Sequence, residues 1–120
     1  MSVACFDLDG TLDSYVSTFV PLLGAMKKAG NWHIVVLTGD EQDTVTAENI
    51  AQKQEYLAEL GYGALYDEVT IVAKPTASNK ALYIADNHVV LFVDNRAKNL
   101  KTALDAAPGC LCLLPWATRE

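Results

Sequence analysis

The sequence predicts an α/β protein with a three-layer, Rossmann-like architecture: a five-stranded parallel sheet with helices on both faces. Five short apolar runs alternate with helix-length segments, as in a parallel sheet whose strands are buried on both sides. The polar residues that could carry chemistry follow these runs. Asp7 and Asp9 come after the first, Thr38 after the second, Lys74 after the third and Asp94-Asn95 after the fourth. Right-handed crossovers put the C-terminal ends of all such strands on one edge, where parallel sheets bind ligands. A chain of 120 residues, 51% apolar, is long enough for one domain, residues 1–120, with a modest core.

The first strand is read at Val3–Phe6. It runs into Asp7-Leu8-Asp9-Gly10-Thr11, and residues two apart on an extended chain point the same way. The two carboxylates are therefore expected to aim at one spot. They repel unless a cation sits nearby or one is protonated, which suggests a Mg²⁺ site, a nucleophile with an acid partner, or both. Gly10 permits the sharp exit. Leu12–Val20 reads as irregular. Pro21–Ala29 reads as a short helix with Pro at its first position, Leu22, Leu23 and Met26 as its apolar side, and Gly30-Asn31 as its stop.

Ile34–Leu37 is the second strand, ending in Thr38-Gly39-Asp40. A helix from about Asp43 to Leu60 follows, with Ala47, Ile50, Ala51, Leu57 and Leu60 as its stripe and Gly61 as its end. Asp40 is assigned to capping. Val69–Ala73 is the third strand. Ser78 is expected to cap a helix over Asn79–Asp86, and Val89–Val93 is the fourth strand. Arg96–Ala107 reads as an amphipathic helix through Ala97, Leu100, Leu104 and Ala107. Pro108-Gly109 then turns the chain into a fifth strand, Cys110–Leu114.

Composition narrows the function classes. A net charge of −6 disfavours a protein that grips nucleic acid mainly by its overall field. No apolar run approaches the roughly 20 residues that span a bilayer, so no membrane role is expected. The N-terminus lacks a basic region and a cleavage site. Cys5, Cys110 and Cys112 lie in apolar, strand-like runs, which reads as buried reduced thiols in a cytoplasmic protein. His33 and His88 precede strands, opposite the expected site, and are assigned structural roles. Trp32 and Trp116 flank strands, and Tyr62 and Tyr66 are read as packing residues.

Phe6-Asp7-Leu8-Asp9-Gly10-Thr11 resembles the DxDGT signature of the haloacid dehalogenase superfamily, whose members are mostly Mg²⁺-dependent phosphatases. Thr38, in Val35-Val36-Leu37-Thr38-Gly39, resembles the family's second motif. Asp94, in the run from Phe92 to Leu100, resembles the fourth. The third motif is one basic residue, and two lysines compete. Lys80, opening a helix upstream of Asp94, resembles small capless members; Lys74, before Pro75, resembles capped ones. Lys80 is preferred. The match runs in order from residue 3 to about residue 114. It is similar to phosphatase domains of phage-type polynucleotide kinases and to small deoxynucleotidases, which share the run from the Leu-Thr-Gly motif to the strand-ending acid.

The resemblance implies a phosphomonoester hydrolase. Asp7 would attack phosphorus, and Asp9 would act as acid and then base. Thr38 and Lys80 would hold phosphoryl oxygens. Gly10, Thr11, Gly39, Lys74 and Asn95 would contact substrate. Mg²⁺ would be held by Asp7, the Asp9 carbonyl and Asp94. The expected substrate is an exposed phosphate, foremost a nucleotide or nucleic-acid end. Two departures stand out: Asn95 replaces the second acid of the fourth motif, which implies weaker Mg²⁺ binding, and no cap domain fits. Leu12–Val20 leaves room only for a flap. The alternatives are a receiver-like phosphoacceptor and a non-enzymatic binding module of the same fold.

Overall fold

The computed structural model describes residues 1–39 and 45–115. In chain order the elements are β1 (Ser2–Phe6), α1 (Val16–Ala29), β2 (Trp32–Gly39), α2 (Ala47–Leu60), β3 (Glu68–Val72), α3 (Thr76–Asp86), β4 (Leu91–Val93), α4 (Ala97–Ala106) and β5 (Leu111–Leu113). The five strands form one sheet, ordered β3-β2-β1-β4-β5, and every pairing is parallel. The architecture is the expected α/β sheet flanked by helices.

Alternation along each strand divides the core in two. Ala4, Phe6, Ile34 and Val36 face the layer that holds Phe19, Leu23, Met26 and Leu57 of α1 and α2. Cys5, Val35, Leu37 and Phe92 face the layer that holds Ala81, Ile84, Leu100 and Ala103 of α3 and α4. Both faces are thereby covered, which is why the central strands read as unbroken apolar runs. The three cysteines are free; burial pushes the Cys110 thiol up to about 12 and raises Cys5 as well.

Several boundaries differ from the sequence reading. Helix α1 begins at Val16, with Pro21 inside it, so the segment expected to be an irregular flap is mostly helix. The cost of the missing Pro21 N–H is offset by Phe19, which packs edge-on against Phe6 with ring centroids 5.9 Å apart. The buried stripe is Phe19, Leu23 and Met26; Leu22 is exposed. Helix α2 begins at Ala47, capped by the Thr46 side chain, which accepts from the Asn49 N–H at 3.1 Å. The proposed start at Asp43 and the Asp40 cap lie outside the described residues, as does Trp116. Leu57 alone of the α2 stripe is buried, with Ile50 and Leu60 partly so.

Helix α3 starts at Thr76 after Pro75, so Ser78 sits within the first turn and caps nothing. Helix α4 buries Asn99, Leu100 and Ala103 and leaves Leu104 exposed. The polar Asn99 joins the inward face because it has a partner there. Strands β4 and β5 are shorter than expected: the last three residues of Val89–Val93 pair with the central three of Cys110–Leu114. Tyr62 is buried and Tyr66 partly so, both against the core. His33 lies 3.8 Å from Asp67 and 3.5 Å from Glu68 at the far end of β2, a structural setting. No helix among the described residues is long and apolar enough to cross a membrane.

Candidate active site

Strand order places the site. The chain leaves β1 to one side for β2 and β3, then returns to the other side for β4 and β5. The crevice at such a reversal opens beyond the C-terminal ends of the two central strands. Phe6 of β1 and Val93 of β4 are register partners, so the residues that follow them, Asp7 and Asp94, emerge side by side.

Beyond Asp7 the chain winds into a wide turn over Leu8–Leu12, interrupted by Asp9 in an extended conformation and Gly10 at φ 84°. That φ is in the left-handed region that favours glycine. The turn is anchored from both sides. Leu8 and Leu12 are buried in the core, the Gly10 N–H donates to Asp13 Oδ1 at 2.7 Å, and the Tyr62 hydroxyl donates to the Leu12 carbonyl. The Tyr56 hydroxyl on α2 donates to Asp13 Oδ2 at 3.1 Å. The turn carries Asp7 and Asp9 to different depths. Asp7 is buried, whereas Asp9 is exposed. Both line one cavity.

Lys80 reaches the acids from the second turn of α3. It is 1% exposed, and its Nζ donates to Asp7 Oδ1 at 2.7 Å and Asp94 Oδ2 at 2.9 Å. Asp94 also accepts from Asn99 Nδ2 at 2.9 Å and from the Arg96 N–H at 2.9 Å. Asp7 Oδ2 accepts from the buried Thr11 hydroxyl at 3.1 Å. Burial pushes the Asp7 carboxyl up to about 6; the Lys80 ammonium and the Thr11 hydroxyl oppose the rise, and the Asp94 charge adds to it. Desolvation therefore outweighs an ion pair at contact distance.

A cavity of about 620 Å³ opens above these groups, with Asp7, Asp9, Thr38, Gly39, Lys74 and Lys80 among its lining residues. Thr38 is 1% exposed at the end of β2. The far walls are the N-termini of α3 and α4, where Pro75 and Arg96 make no side-chain cap. First-turn N–H groups without a capping side chain attract anions. Of the nine Lys and Arg residues in the sequence, Lys74, Lys80, Arg96 and Lys98 line this one cavity. The negative overall charge hides a locally basic rim.

Gly10, Thr11, Asp94 and Asn95 stand behind the cavity rather than in its lining. Thr11 orients Asp7. Lys74 is exposed on the rim and Lys80 forms the floor, so the structure separates the two competing lysines by depth. Thr76, Ala77 and Thr102 of the cavity lining escaped the sequence reading, and Lys98 entered it only as part of the run from Phe92 to Leu100. The cue for Thr76 was the Lys-Pro pair before it, because Pro commonly precedes or opens a helix.

Among the described residues no cluster of three His, Cys, Asp or Glu side chains could hold a metal. What converges is two carboxylates and one main-chain carbonyl. Asp7 Oδ2, the Asp9 carbonyl and Asp94 Oδ1 lie 2.9, 3.1 and 3.2 Å from one atom position at the tip of Asn95. An all-oxygen set of this kind suits a hard cation that completes its shell with water. In comparisons with known proteins, no protein-family model and no curated protein matches the chain.

Proposed function

We propose that this protein is a capless member of the haloacid dehalogenase superfamily, a Mg²⁺-dependent phosphomonoesterase working through an aspartyl-phosphate. One observation carries the reading: a buried carboxylate, Asp7, held by Lys80 and Thr11 at the base of an anion-attracting cavity that also presents Thr38 and Asp9. A carboxylate so placed can act as a nucleophile, and covalent catalysis divides one hard hydrolysis into two easier steps.

In the first step an Asp7 oxygen forms a bond to phosphorus as the bond to the leaving oxygen breaks. Asp9, exposed in the cavity, gives that oxygen its proton. In the second, Asp9 takes a proton from water, whose oxygen bonds to phosphorus as the aspartyl bond breaks, and orthophosphate leaves. Lys80, Thr38 and the first N–H groups of α3 stabilise the phosphoryl oxygens, the largest available help in this chemistry. Mg²⁺ bound by Asp7, the Asp9 carbonyl and Asp94 would supply further charge neutralisation on the phosphoryl group. Asn99 and the Arg96 N–H fix Asp94 for that role.

The substrate is a nucleotide or a nucleic-acid terminal phosphate. The rim cations Lys74, Arg96 and Lys98 support a substrate with negative charge beyond the reacting group. The free thiols, buried at Cys5 and Cys110 and partly buried at Cys112, support a cytoplasmic setting. Release of nitrophenol from an aryl phosphate, with and without Mg²⁺, tests the reading. Metal-dependent turnover that disappears in an Asp7→Asn variant that still folds is the expected result. Near wild-type turnover in that folded variant would overturn the mechanism.

A further inference from the structure

Asn95 marks the departure from a two-acid site, and its surroundings give it a role of its own. Its carboxamide is lodged against Gly10, where an added Cβ would come 2.3 Å from the end of the Asn95 side chain. Gly10 is thus needed twice, for its positive φ and for the room it leaves. In the orientation that pairs its donors with acceptors, the two amide hydrogens are shared among three acceptors, Asp7 Oδ2 at 2.9 Å, the Asp9 carbonyl at 3.1 Å and Asp94 Oδ1 at 3.2 Å from the nitrogen. Lys80 engages the other oxygen of each carboxylate. In that orientation the acid pair is clamped between two donors, an ammonium on one side and an amide on the other.

Amide hydrogens and a metal ion are both positive, so they cannot face the same three oxygens together. Mg²⁺ sits about 2.0–2.1 Å from its ligand oxygens, within the space that the Asn95 N–H groups cross. We infer that the Asn95 carboxamide competes with a divalent cation for Asp7, Asp9 and Asp94, as a tethered donor that the cation must turn over or push aside. This rests on the Mg²⁺ reading above. An aspartate at this position would attract a cation; asparagine holds the acids together without one and raises the concentration at which the site loads. The carbonyl oxygen it could offer after turning is replaceable, because Mg²⁺ readily keeps water as a ligand. The charge-assisted hydrogen bonds lost on loading are not replaced.

Removing the amide should therefore tighten Mg²⁺ binding. Calorimetric titration of Mg²⁺ into the full chain, with melting curves in EDTA, decides the matter. Asn95→Ala is expected to bind Mg²⁺ about tenfold more tightly than wild type, the worth of roughly one charge-assisted hydrogen bond. It should also melt lower in EDTA, since both carboxylates lose a donor. A second measurement needs no variant to fold. In ¹⁵N spectra of the wild type, the Asn95 side-chain NH₂ pair should be protected from solvent exchange in EDTA and lose protection at saturating Mg²⁺. Unchanged or weaker binding by folded Asn95→Ala, or an NH₂ pair indifferent to bound Mg²⁺, overturns the competition and leaves the metal site standing. Absence of any Mg²⁺ binding in both proteins overturns the metal site itself, and the competition with it.

Discussion

Replacing Lys80 by methionine tests the centre of the site with little change in packing. Methionine keeps the apolar stem of a side chain that is 1% exposed but removes the ammonium shared by Asp7 and Asp94 at 2.7 and 2.9 Å. Breaking a buried ion pair by deleting one partner costs about 3–5 kcal/mol, because a charge is left uncompensated. The lower end applies here. Asp94 keeps its bonds from Asn99 and the Arg96 N–H, and Asp7 keeps Thr11. With an unfolding entropy of about 2.1 cal/mol/K per residue, a loss of about 3 kcal/mol lowers Tm by about 12 °C. The loss should shrink toward pH 5, where Asp7 takes up a proton and needs the ammonium less. Urea and thermal unfolding of both proteins at pH 8 and pH 5 measure this. A variant within about 1 kcal/mol of wild type at pH 8, or a deficit equal at both pH values, would refute the electrostatic account. Turnover should fall by about a hundredfold or more, as for loss of one strong charge-stabilising group. Lys74→Ala should cost less.

Asp7 also has a pH signature of its own. Its folded-state pKa is raised to about 6 from 3.8, so the folded protein binds this proton more tightly than the unfolded chain. Its contribution to stability is fully present below pH 4 and is lost as pH rises to about 6, in total about 3 kcal/mol. In EDTA, Asp7→Asn should gain stability over wild type by that amount across the window; a difference that stays constant from pH 4 to 7 would count against the buried carboxylate. Added Mg²⁺ should raise the wild-type melting temperature by mass action, and Asp94→Asn should lose most of that rise. An equal response would put the metal elsewhere. Across a panel of phosphate esters, nucleoside monophosphates and oligonucleotide ends should exceed compact sugar phosphates in kcat/KM. Preference for a sugar phosphate by a monomer would sink the reading of a site without a cap.

The sequence by itself determined the sheet and the edge on which the candidate site lies. Apolar runs such as Ile34–Leu37 are buried because both faces of a parallel sheet are covered. Asp7, Thr38 and Asp94 share an edge because they follow or end strands that all run parallel. Tertiary packing decided what lies at depth. Whether Lys74 or Lys80 reaches the acids depends on where α3 begins. Thr76 starts it one turn before Lys80, which directs that lysine inward across Phe92, with Nζ 5.9 Å from the ring centroid. Pro21 looked like a helix start by local rules, yet burial of Phe19 against Phe6 carried the helix past it. The contact between Asn95 and Gly10 joins residues from two strand ends. No periodicity in one segment encodes such an approach, because it depends on how closely β1 and β4 lie and on a φ that only the folded turn imposes.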